Sequence, residues 1–408
     1  MLAISEKNIK VVTNGHVTSP IGFSAGGVHC GLRRSKLDFG WIHSEVPAAT
    51  AGVYTLNTFE APPLKVTKAS IAKEKKIQTI VVNSAIANSC TGKQGMDDAL
   101  QMQQLAATQM GVKLDHVAVT STGVIGVTLP MEKIRQGISS MNEPENYSAE
   151  KFETAILTTD TVTKHVAIQF EIDGKTITIG GAAKGSGMIH PNMATMLSFI
   201  TTDAQVDPDS LQNALREVTN KTFNMITVDG DTSTNDMVLV LANGCQNNDT
   251  LSENHPQWPL FVHALRVVSE NLAKQIARDG EGATKLVEVQ VKGAASEKVA
   301  SQVGKAVISS NLVKTAVYGA DPNWGRIVCA VGYSEQPIDP DKVCVSLGHI
   351  DVVKNGLPLE FDELEGKKYL EQEQVKLIVD LQDGSAEATA WGCDLSYEYV
   401  KINASYRT

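Results

Sequence analysis

The sequence predicts a mixed α/β fold, because helical and strand patterns alternate along the whole chain. The helical segments carry apolar residues three or four positions apart, and the strand segments are short and rich in β-branched residues. No internal repeat, low-complexity segment or long Pro/Gly/Ser-rich linker interrupts the 408 residues. A chain of this length can bury a substantial core, in one large domain or in two smaller ones.

Three helices and five strands are predicted most clearly. The helices are predicted at residues 96–110, 209–218 and 259–278. The longest has an apolar stripe that includes Leu265 and Leu272, and it ends at Asp279-Gly280, where we expect a glycine C-cap. The strands are predicted at residues 79–82, 117–120, 176–179, 287–291 and 375–379. These patterns do not give the order of the strands.

The composition argues against a nucleic-acid or membrane partner. The formal net charge is −10 and no basic block offsets it, which is unfavourable for binding to nucleic acid. No apolar stretch reaches the length of a transmembrane helix, and the first residues lack the pattern of a secretory signal. The six cysteines are scattered without a C-x-x-C pair, as expected of reduced thiols. We therefore expect a cytoplasmic protein.

A glycine-rich segment in the middle of the chain leads to Ala194-Thr195. A threonine hydroxyl is a weak nucleophile unless a base lies beside it, and a break before Thr195 frees an α-amine that can be that base. The pKa of such an amine, about 7.7–8.0, lies close to neutral pH. Ala194 is small, and Gly185 and Gly187 permit backbone conformations that other residues resist. The alternative is an ordinary glycine-rich loop that enters a buried helix or strand.

Residues 184–188 and 191–197 resemble the self-cleavage segment of the ornithine acetyltransferase family, the glutamate N-acetyltransferases of arginine biosynthesis. The resemblance runs nearly end to end, with further matching segments at residues 120–126, 158–161, 229–236, 278–285, 319–326 and 390–408. It implies a four-layer α/β/β/α arrangement, similar in outline to that of N-terminal-nucleophile hydrolases. It also implies cleavage between Ala194 and Thr195 into an α chain (1–194) and a β chain (195–408). The cleaved chains are expected to stay packed as one compact unit and to form a heterotetramer of two α and two β chains.

The resemblance implies transfer of an acetyl group from N2-acetylornithine to glutamate. The group passes through an acetyl-Thr195 ester by a ping-pong route, and the products are ornithine and N-acetylglutamate. Whether acetyl-CoA is a second donor, which would make the enzyme bifunctional, stays open at this point. No cofactor is implied, and no two of the nine histidines have the spacing of metal ligands.

The resemblance also implies roles for individual residues. Thr122 and Gly123 are expected to stabilise the oxyanion of the tetrahedral intermediate, although Ser121-Thr122-Gly123 alone is typical of a turn. Lys184 is expected to hold the substrate α-carboxylate, and Glu281 the side-chain ammonium of ornithine. In isolation, Lys184 also fits a surface lysine and Glu281 a helix-end carboxylate. The complete set of expected substrate contacts is Thr158, Lys184, Thr195, Glu281, Asn403 and Thr408.

Three further features have no assigned role. Residues 229–236, rich in Asp, Thr and Asn, are expected to order a turn near the site. His190 is close to Thr195 in sequence, but a lone histidine in such a position is more often structural. The chain departs from the family at Ala85-Ile86, where the family loop has glycine and asparagine. Losing that glycine is expected to alter the shape of the loop.

Two other functions are compatible with the sequence. A self-processed amidohydrolase or aminopeptidase would use the same nucleophile with water as the acceptor. An uncleaved, non-catalytic binding protein would retain the fold without the reaction. The first differs from a transferase in whether water or glutamate consumes the acyl-enzyme, and the second differs in whether the chain is cut.

Overall fold

Sixteen β-strands lie within the residues that the computed structural model describes, 9–190 and 196–405. In chain order they are β1 (Lys10–Val11), β2 (Phe23–Val28), β3 (Phe39–Tyr54), β4 (Lys76–Ile86), β5 (Val117–Val124), β6 (Lys164–Ile172), β7 (Lys175–Lys184), β8 (Leu197–Thr202), β9 (Ile226–Thr227), β10 (Met237–Ala242), β11 (Leu286–Ala294), β12 (Cys344–Leu347), β13 (Ile350–Lys354), β14 (Leu357–Pro358), β15 (Gln374–Asp380) and β16 (Ala386–Cys393). Within these residues they form two sheets. The nine-stranded sheet has the order β1-β6-β7-β8-β10-β3-β4-β5, with β2 paired to β3, and the seven-stranded sheet has the order β14-β13-β12-β15-β11-β16-β9.

Eleven α-helices lie in the same part of the chain. They are α1 (Pro62–Glu74), α2 (Gly92–Met110), α3 (Met131–Ser139), α4 (Ala149–Ala155), α5 (Pro208–Lys221), α6 (Trp258–Arg278), α7 (Glu297–Ser309), α8 (Asn311–Tyr318), α9 (Trp324–Gly332), α10 (Glu363–Leu370) and α11 (Tyr397–Ala404). The three predicted helices are confirmed as α2, α5 and α6. α5 begins where Pro208 fixes the first turn and where the Asp207 side chain accepts a hydrogen bond from the Ser210 N–H.

The end of α6 differs from the prediction in its cause. The helix stops at Arg278 as expected and Asp279 is its C-cap residue, but Gly280, which follows, does not have the left-handed φ that a glycine cap requires. A Cβ at Gly280 would lie 2.7 Å from Cys393 Sγ and 3.1 Å from a methyl carbon of Val228. Gly280 is therefore required by close packing against β16, and the expectation of a glycine C-cap is wrong.

The segments before and after residues 191–195 share one sheet. The five predicted strands are confirmed as β4, β5, β7, β11 and β15. β8, which follows residue 195, lies between β7 and β10, and Lys184 of β7 pairs with Leu197 of β8. β10 in turn pairs with β3, where Met237 faces Tyr54. The two parts of the chain are therefore joined by strand pairing as well as by side-chain packing.

Helices pack against both sheets and close one main core. α6 contacts β6 and β7 of the nine-stranded sheet and also β11 and β16 of the seven-stranded sheet, and α7 packs on β11 and β16. Ile200 of β8, Leu265 of α6 and Val289 of β11 are fully buried in the same apolar cluster. The predicted mixed α/β fold is confirmed. Across residues 9–190 and 196–405, we find no helix with both the length and the apolar character needed to cross a membrane.

A cluster of His16, Glu153 and His165 joins α4 to β6, although sequence spacing did not indicate it. Glu153 is 1% exposed, and its two carboxylate oxygens lie 2.8 Å from His16 Nδ1 and 2.8 Å from His165 Nδ1. The first contact is a hydrogen bond, whereas the second is an ion pair whose angles do not meet hydrogen-bond geometry. The contact with Glu153 raises the pKa of His165, burial acts against this shift, and the charges of Glu153 and Glu150 add to it. α4 and β6 flank residues 156–163, so the cluster closes the base of that loop.

Glu153→Gln is expected to weaken the dependence of stability on pH. The pKa of His165 is higher in the folded protein than in the unfolded chain, where it is about 6.5. Protonation of His165 therefore stabilises the folded state, and this contribution is fully present below about pH 6.5. That contribution is lost as the pH rises through the folded pKa. Urea midpoints of wild type and variant at equal protein concentration, from about pH 5.5 to about pH 9, measure the effect. Glu365→Gln removes the exposed pair with His349 and is the control. Equal slopes for wild type and Glu153→Gln would contradict the prediction.

Candidate active site

A cavity of about 610 Å³ collects residues from segments that are far apart in the sequence. Ile189 and Met196 line it, and these two residues stand on either side of residues 191–195. Ala194 and Thr195 lie outside the described residues, and so does Thr408. The other residues predicted for the site all line this cavity: Thr122, Gly123, Thr158, Lys184, Glu281 and Asn403.

Thr122 and Gly123 lie near the end of β5, which runs parallel to β4. Gly123 has a φ of 131° and pairs with Ala85 of β4. A Cβ at Gly123 would lie 2.1 Å from the carbonyl carbon of Ala85, so only glycine fits there. The alternative of a turn at Ser121-Thr122-Gly123 is wrong, because these residues continue the strand to Val124.

The departure at Ala85-Ile86 places a strained residue directly beside Gly123. Ala85 has a φ of 98°, in the region that favours glycine. Ile86 is partly buried against the core beneath β4 and β5, and its carbonyl accepts a hydrogen bond from Asn83 Nδ2 at 2.8 Å. The segment expected to be a loop is the end of β4, and the chain leaves the strand at Ala87. The altered residues therefore shape the backbone against which Gly123 packs.

Ala85→Gly is expected to raise the free energy of unfolding by about 1 kcal/mol. Relief of backbone strain contributes on the order of 1–3 kcal/mol, and the freedom of glycine in the unfolded chain reduces the gain by about 0.4–1 kcal/mol. Urea unfolding at equal protein concentration measures the change. Ala87→Gly, two residues on and without a left-handed φ, is the control and is expected to lose stability. A loss of stability in both variants would show that Ala85 is not strained.

Lys184 is the last residue of β7 and is only 7% exposed, so it is not a surface lysine. Its Nζ donates to Thr158 Oγ1 at 2.6 Å and lies 3.9 Å from Asp160 Oδ2. Burial lowers the pKa of Lys184, while the carboxyl groups of Asp160 and Asp236 act in the opposite direction. The side chain is thus a partly desolvated cation that reaches the cavity wall.

Behind Lys184 lies a buried network of charges. Lys164 is fully buried, and its Nζ is 2.7 Å from Asp160 Oδ1 and 2.6 Å from Asp279 Oδ2. Asp160 Oδ2 also accepts a hydrogen bond from the Thr158 N–H at 2.9 Å. Burial acts to raise the pKa of Asp160, but the charges of Lys184 and Lys164 together with the hydrogen bonds hold it below its usual range. Asp160 is therefore an anion that orients two of the predicted substrate contacts.

Glu281 lies three residues beyond the end of α6 and faces the cavity. Its N–H donates to the Ser186 carbonyl at 2.9 Å, and its Oε2 accepts a hydrogen bond from Asn403 Nδ2 at 2.7 Å. A Cβ at Gly187 would lie 2.4 Å from the carboxylate carbon of Glu281, so the glycine leaves room for this side chain. Asn403, on the exposed helix α11, is thereby brought to the same cavity despite its distance in sequence.

Residues 233–236 line this cavity, whereas the sequence analysis expected residues 229–236 to order a turn near the site and assigned them no role. Asp229 accepts hydrogen bonds from the N–H groups of Met188 at 2.6 Å and Ile189 at 2.9 Å. It therefore fixes the chain just before residues 191–195. The signal in the sequence was a run of short polar residues directly before a buried apolar strand, β10, which is typical of polar groups at a sheet edge.

Asn235 connects this segment to the oxyanion candidates. Its Nδ2 donates to the carbonyl oxygens of Ala87 at 2.6 Å and Ser121 at 2.9 Å. It is buried, so these hydrogen bonds satisfy an amide that would otherwise be costly to desolvate. Asn235 thus joins the residue that follows β4 to the strand that carries Thr122.

His190 contacts Thr227 and is not one of the residues that line the cavity. Its Nδ1 lies 3.0 Å from Thr227 Oγ1. Burial, with the nearby charge of Lys305, lowers the pKa of His190 to about 4, so the imidazole is neutral at neutral pH. This contact agrees with the structural role expected of it.

Comparisons with known proteins converge on one family. The sequence profile of the ArgJ family matches residues 24–408. The "Arginine biosynthesis bifunctional protein ArgJ" of Oceanobacillus iheyensis is 64% identical over 402 residues, 98% of both chains, and its namesake in Bacillus subtilis is 55% identical over 408 residues, 100% of both. The crystal structure of the ArgJ protein of Bacillus halodurans is 55% identical with a TM-score of 0.51, and the match covers 52% of this chain and 100% of that one. The Mycobacterium tuberculosis ornithine acetyltransferase, solved with ornithine, is 32% identical with a TM-score of 0.42, covering 46% of this chain and 100% of that one. The chain therefore belongs to the ArgJ family.

Proposed function

We propose that this protein transfers an acetyl group from N2-acetylornithine to glutamate and forms ornithine and N-acetylglutamate. The observation that carries the proposal is the cavity that places Lys184, Glu281 and the pair Thr122-Gly123 beside the two ends of the segment containing Thr195. A small amino acid with a carboxylate and a side-chain ammonium is complementary to a buried lysine and a buried glutamate. Relatives named as arginine-biosynthesis proteins support the same conclusion.

In the proposed reaction, the Thr195 hydroxyl attacks the acetyl carbonyl of N2-acetylornithine while the α-amine of Thr195 accepts its proton. The tetrahedral oxyanion accepts hydrogen bonds from Thr122 and Gly123. The amide C–N bond then breaks, ornithine leaves with the transferred proton on its amine, and an acetyl-Thr195 ester remains. The neutral α-amine of glutamate attacks this ester and gives up a proton to the α-amine of Thr195. The C–O bond then breaks, the α-amine returns the proton to the threonine oxygen, and N-acetylglutamate leaves.

The same residues are proposed to hold both substrates in turn. Lys184 binds the α-carboxylate that ornithine and glutamate share, since a buried ammonium is favourable for a carboxylate partner. Glu281 binds the side-chain ammonium of ornithine. Further contacts are proposed for Thr158, Asn403 and Thr408.

We propose that the chain cleaves itself between Ala194 and Thr195 into chains 1–194 and 195–408. The pairing of β7 with β8 supports a stable complex after cleavage, because these neighbouring strands lie on opposite sides of the cut. The solved Bacillus halodurans chain matches along its whole length yet covers 52% of this one, which is the size relation expected for a cleaved chain. We propose that two copies of each chain assemble as a heterotetramer.

A second activity is proposed from the relatives, which are named bifunctional. Acetyl-CoA is the proposed second donor, since its thioester carries the same acetyl group to the same nucleophile. The ester formed at Thr195 and its transfer to glutamate are then common to both reactions. The proposed site of both reactions in the cell is the cytoplasm.

The test combines intact mass under denaturing conditions with assays of acetyl transfer. We expect two masses, for residues 1–194 and 195–408, and ornithine release from N2-acetylornithine that requires glutamate and matches the N-acetylglutamate formed. Acetate release at the same rate without glutamate would identify an amidohydrolase instead. A folded, uncut chain without turnover would identify a binding protein. Lys184 supports transfer over both alternatives, because the α-carboxylate that it is proposed to bind is present in the acceptor glutamate as well as in the donor.

A further inference from the structure

The cluster of His16, Glu153 and His165 does not line the cavity and takes no part in the reaction described above. The three residues come from the segment between β1 and β2, from α4 and from β6, and their donor atoms all lie within 4.8 Å of one another. Two imidazoles and one carboxylate are a donor set that zinc uses in proteins. The chemistry of the cluster is therefore that of a site for a divalent transition metal.

The hydrogen bonds of the cluster are incomplete at its centre. Glu153 is 1% exposed, and its Oε1 forms a hydrogen bond of 2.8 Å with His16 Nδ1. Its Oε2 lies 2.8 Å from His165 Nδ1, but neither of these two buried atoms has a hydrogen-bond partner among residues 9–190 and 196–405. A buried carboxylate oxygen without a hydrogen bond is costly and calls for a partner. A cation between the carboxylate and the imidazole would bind the lone pairs of both atoms.

We propose that His16 Nδ1, His165 Nδ1 and the carboxylate of Glu153 bind one divalent ion of the zinc class. Donor atoms bonded to one zinc ion at about 2.0–2.2 Å lie roughly 3–4 Å apart, so shifts of about 1 Å or less bring these atoms into place. The side chains of His16 and His165 are 16% and 32% exposed, which leaves a route for the ion and a fourth position for water. Magnesium and calcium prefer oxygen donors, so the two imidazoles disfavour both.

The backbone around the two histidines is held in place by the fold itself. The His16 N–H donates to Ser19 Oγ at 2.9 Å, and a Cβ at Gly180 would lie 2.2 Å from the His16 carbonyl oxygen. This close approach sets His16 against β7, which pairs with the strand that carries His165. The His165 carbonyl accepts a hydrogen bond from Gln275 Nε2 of α6 at 3.1 Å. Ligands on such rigid elements keep their geometry when an ion binds.

Glu150 provides an outer partner for one of the ligands. Its Oε1 lies 3.6 Å from His16 Nε2, the ring nitrogen that stays free when Nδ1 binds the ion. A metal-bound histidine usually donates its other ring N–H to a carboxylate or carbonyl, which fixes the orientation of the ring. The side chain of Glu150 is 71% exposed, so a small rotation closes this distance to that of a hydrogen bond.

The ion would tie together the two ends of residues 156–163, since Glu153 lies on α4 and His165 on β6. That loop includes Thr158, which lines the cavity. The alternative is a metal-free cluster, in which His165 takes a proton instead of an ion. The proton and the ion compete for the same nitrogen, so the pH dependence expected for Glu153→Gln refers to protein freed of metal by a chelator.

The experiment measures the binding of zinc alone to the untagged, full-length protein after treatment with a chelator. Equilibrium dialysis with elemental analysis should give one zinc ion per chain of 408 residues that excess magnesium does not displace. His16→Asn and His165→Asn should each lower the zinc affinity by more than roughly 100-fold, and Glu150→Gln should lower it by roughly 10-fold. His255→Asn is the matched control, because His255 is 12% exposed and pairs with one carboxylate, that of Asp173, at 3.1 Å. This control should bind zinc as wild type does.

Two results would overturn the zinc site. One is a wild type that binds no zinc, and the other is equal zinc affinity in wild type, His16→Asn and His165→Asn, which would place the ion elsewhere. If the variants do not fold, the Co²⁺ form of the wild type decides the question. Visible absorption without an ultraviolet thiolate charge-transfer band is expected, and such a band would show that cysteine binds the ion. The proposed acetyl transfer is tested separately, since it does not involve these residues.

Discussion

Thr195→Ala is expected to leave the chain in one piece and to abolish acetyl transfer. Alanine has no hydroxyl to attack the Ala194 carbonyl, so neither the cut nor the acetyl ester can form. Loss of a nucleophile of this kind lowers kcat by roughly 10⁴-fold or more. Intact mass under denaturing conditions measures the first effect, and release of ornithine from N2-acetylornithine measures the second.

Thr195→Ser is the matched control, because it keeps a hydroxyl and an α-amine at the same position. It is expected to be cut and to retain measurable transfer. Ornithine should still raise the melting temperature of the alanine variant, since Lys184 and Glu281 remain and a ligand that binds the folded state stabilises it. An alanine variant that is cut between residues 194 and 195 would show that another group performs the cleavage.

Periodicity in the sequence was sufficient to predict the helices and strands that carry most of the core. In α6 the apolar residues recur every three or four positions, and the predicted face is the buried one, with Leu265 and Leu272 at its centre. Strand order was not predictable, because β8 pairs with β7 and β10 through contacts that no local pattern encodes. The end of α6 shows a second limit, since Gly280 serves packing against Cys393 and not a helix cap.

Residues of the candidate site could be predicted only where they belong to sequence motifs of the family. Thr122, Lys184 and Glu281 stand in such motifs, and the structure brings them to one cavity. The contact between Lys164 and Asp279 was missed, because it joins residues 115 positions apart and no local pattern encodes it. The strain at Ala85 was likewise inaccessible, since only the backbone angle shows that alanine stands where glycine is favoured. Burial and φ are properties of the folded chain.

Lys164→Met is expected to lower the free energy of unfolding by about 3–5 kcal/mol. Lys164 is the cation between the buried carboxylates of Asp160 and Asp279, and methionine fills a similar volume without charge. Removing the cation leaves two desolvated negative charges close together, which costs far more than the lost contacts. Urea unfolding in the uncut Thr195→Ala chain measures the change, because a single chain unfolds without a dissociation step.

The same substitution is expected to impair substrate binding. Asp160 accepts hydrogen bonds from the N–H groups of Thr158 and Gly185, and the positive charge of Lys164 stabilises its carboxylate. In the cleaved enzyme, KM for N2-acetylornithine should therefore rise more than kcat falls.

Lys73→Met is the control for the loss of stability. It removes a surface ion pair of similar length, with Asp115 at 2.7 Å, and is expected to lower the free energy of unfolding by at most about 1 kcal/mol. Adding Asp279→Asn to Lys164→Met should recover part of the lost stability, since it removes one of the two stranded charges. A loss below about 1 kcal/mol for Lys164→Met would contradict the prediction. It would mean that the two carboxylates are solvated by water or are protonated when Lys164 is absent.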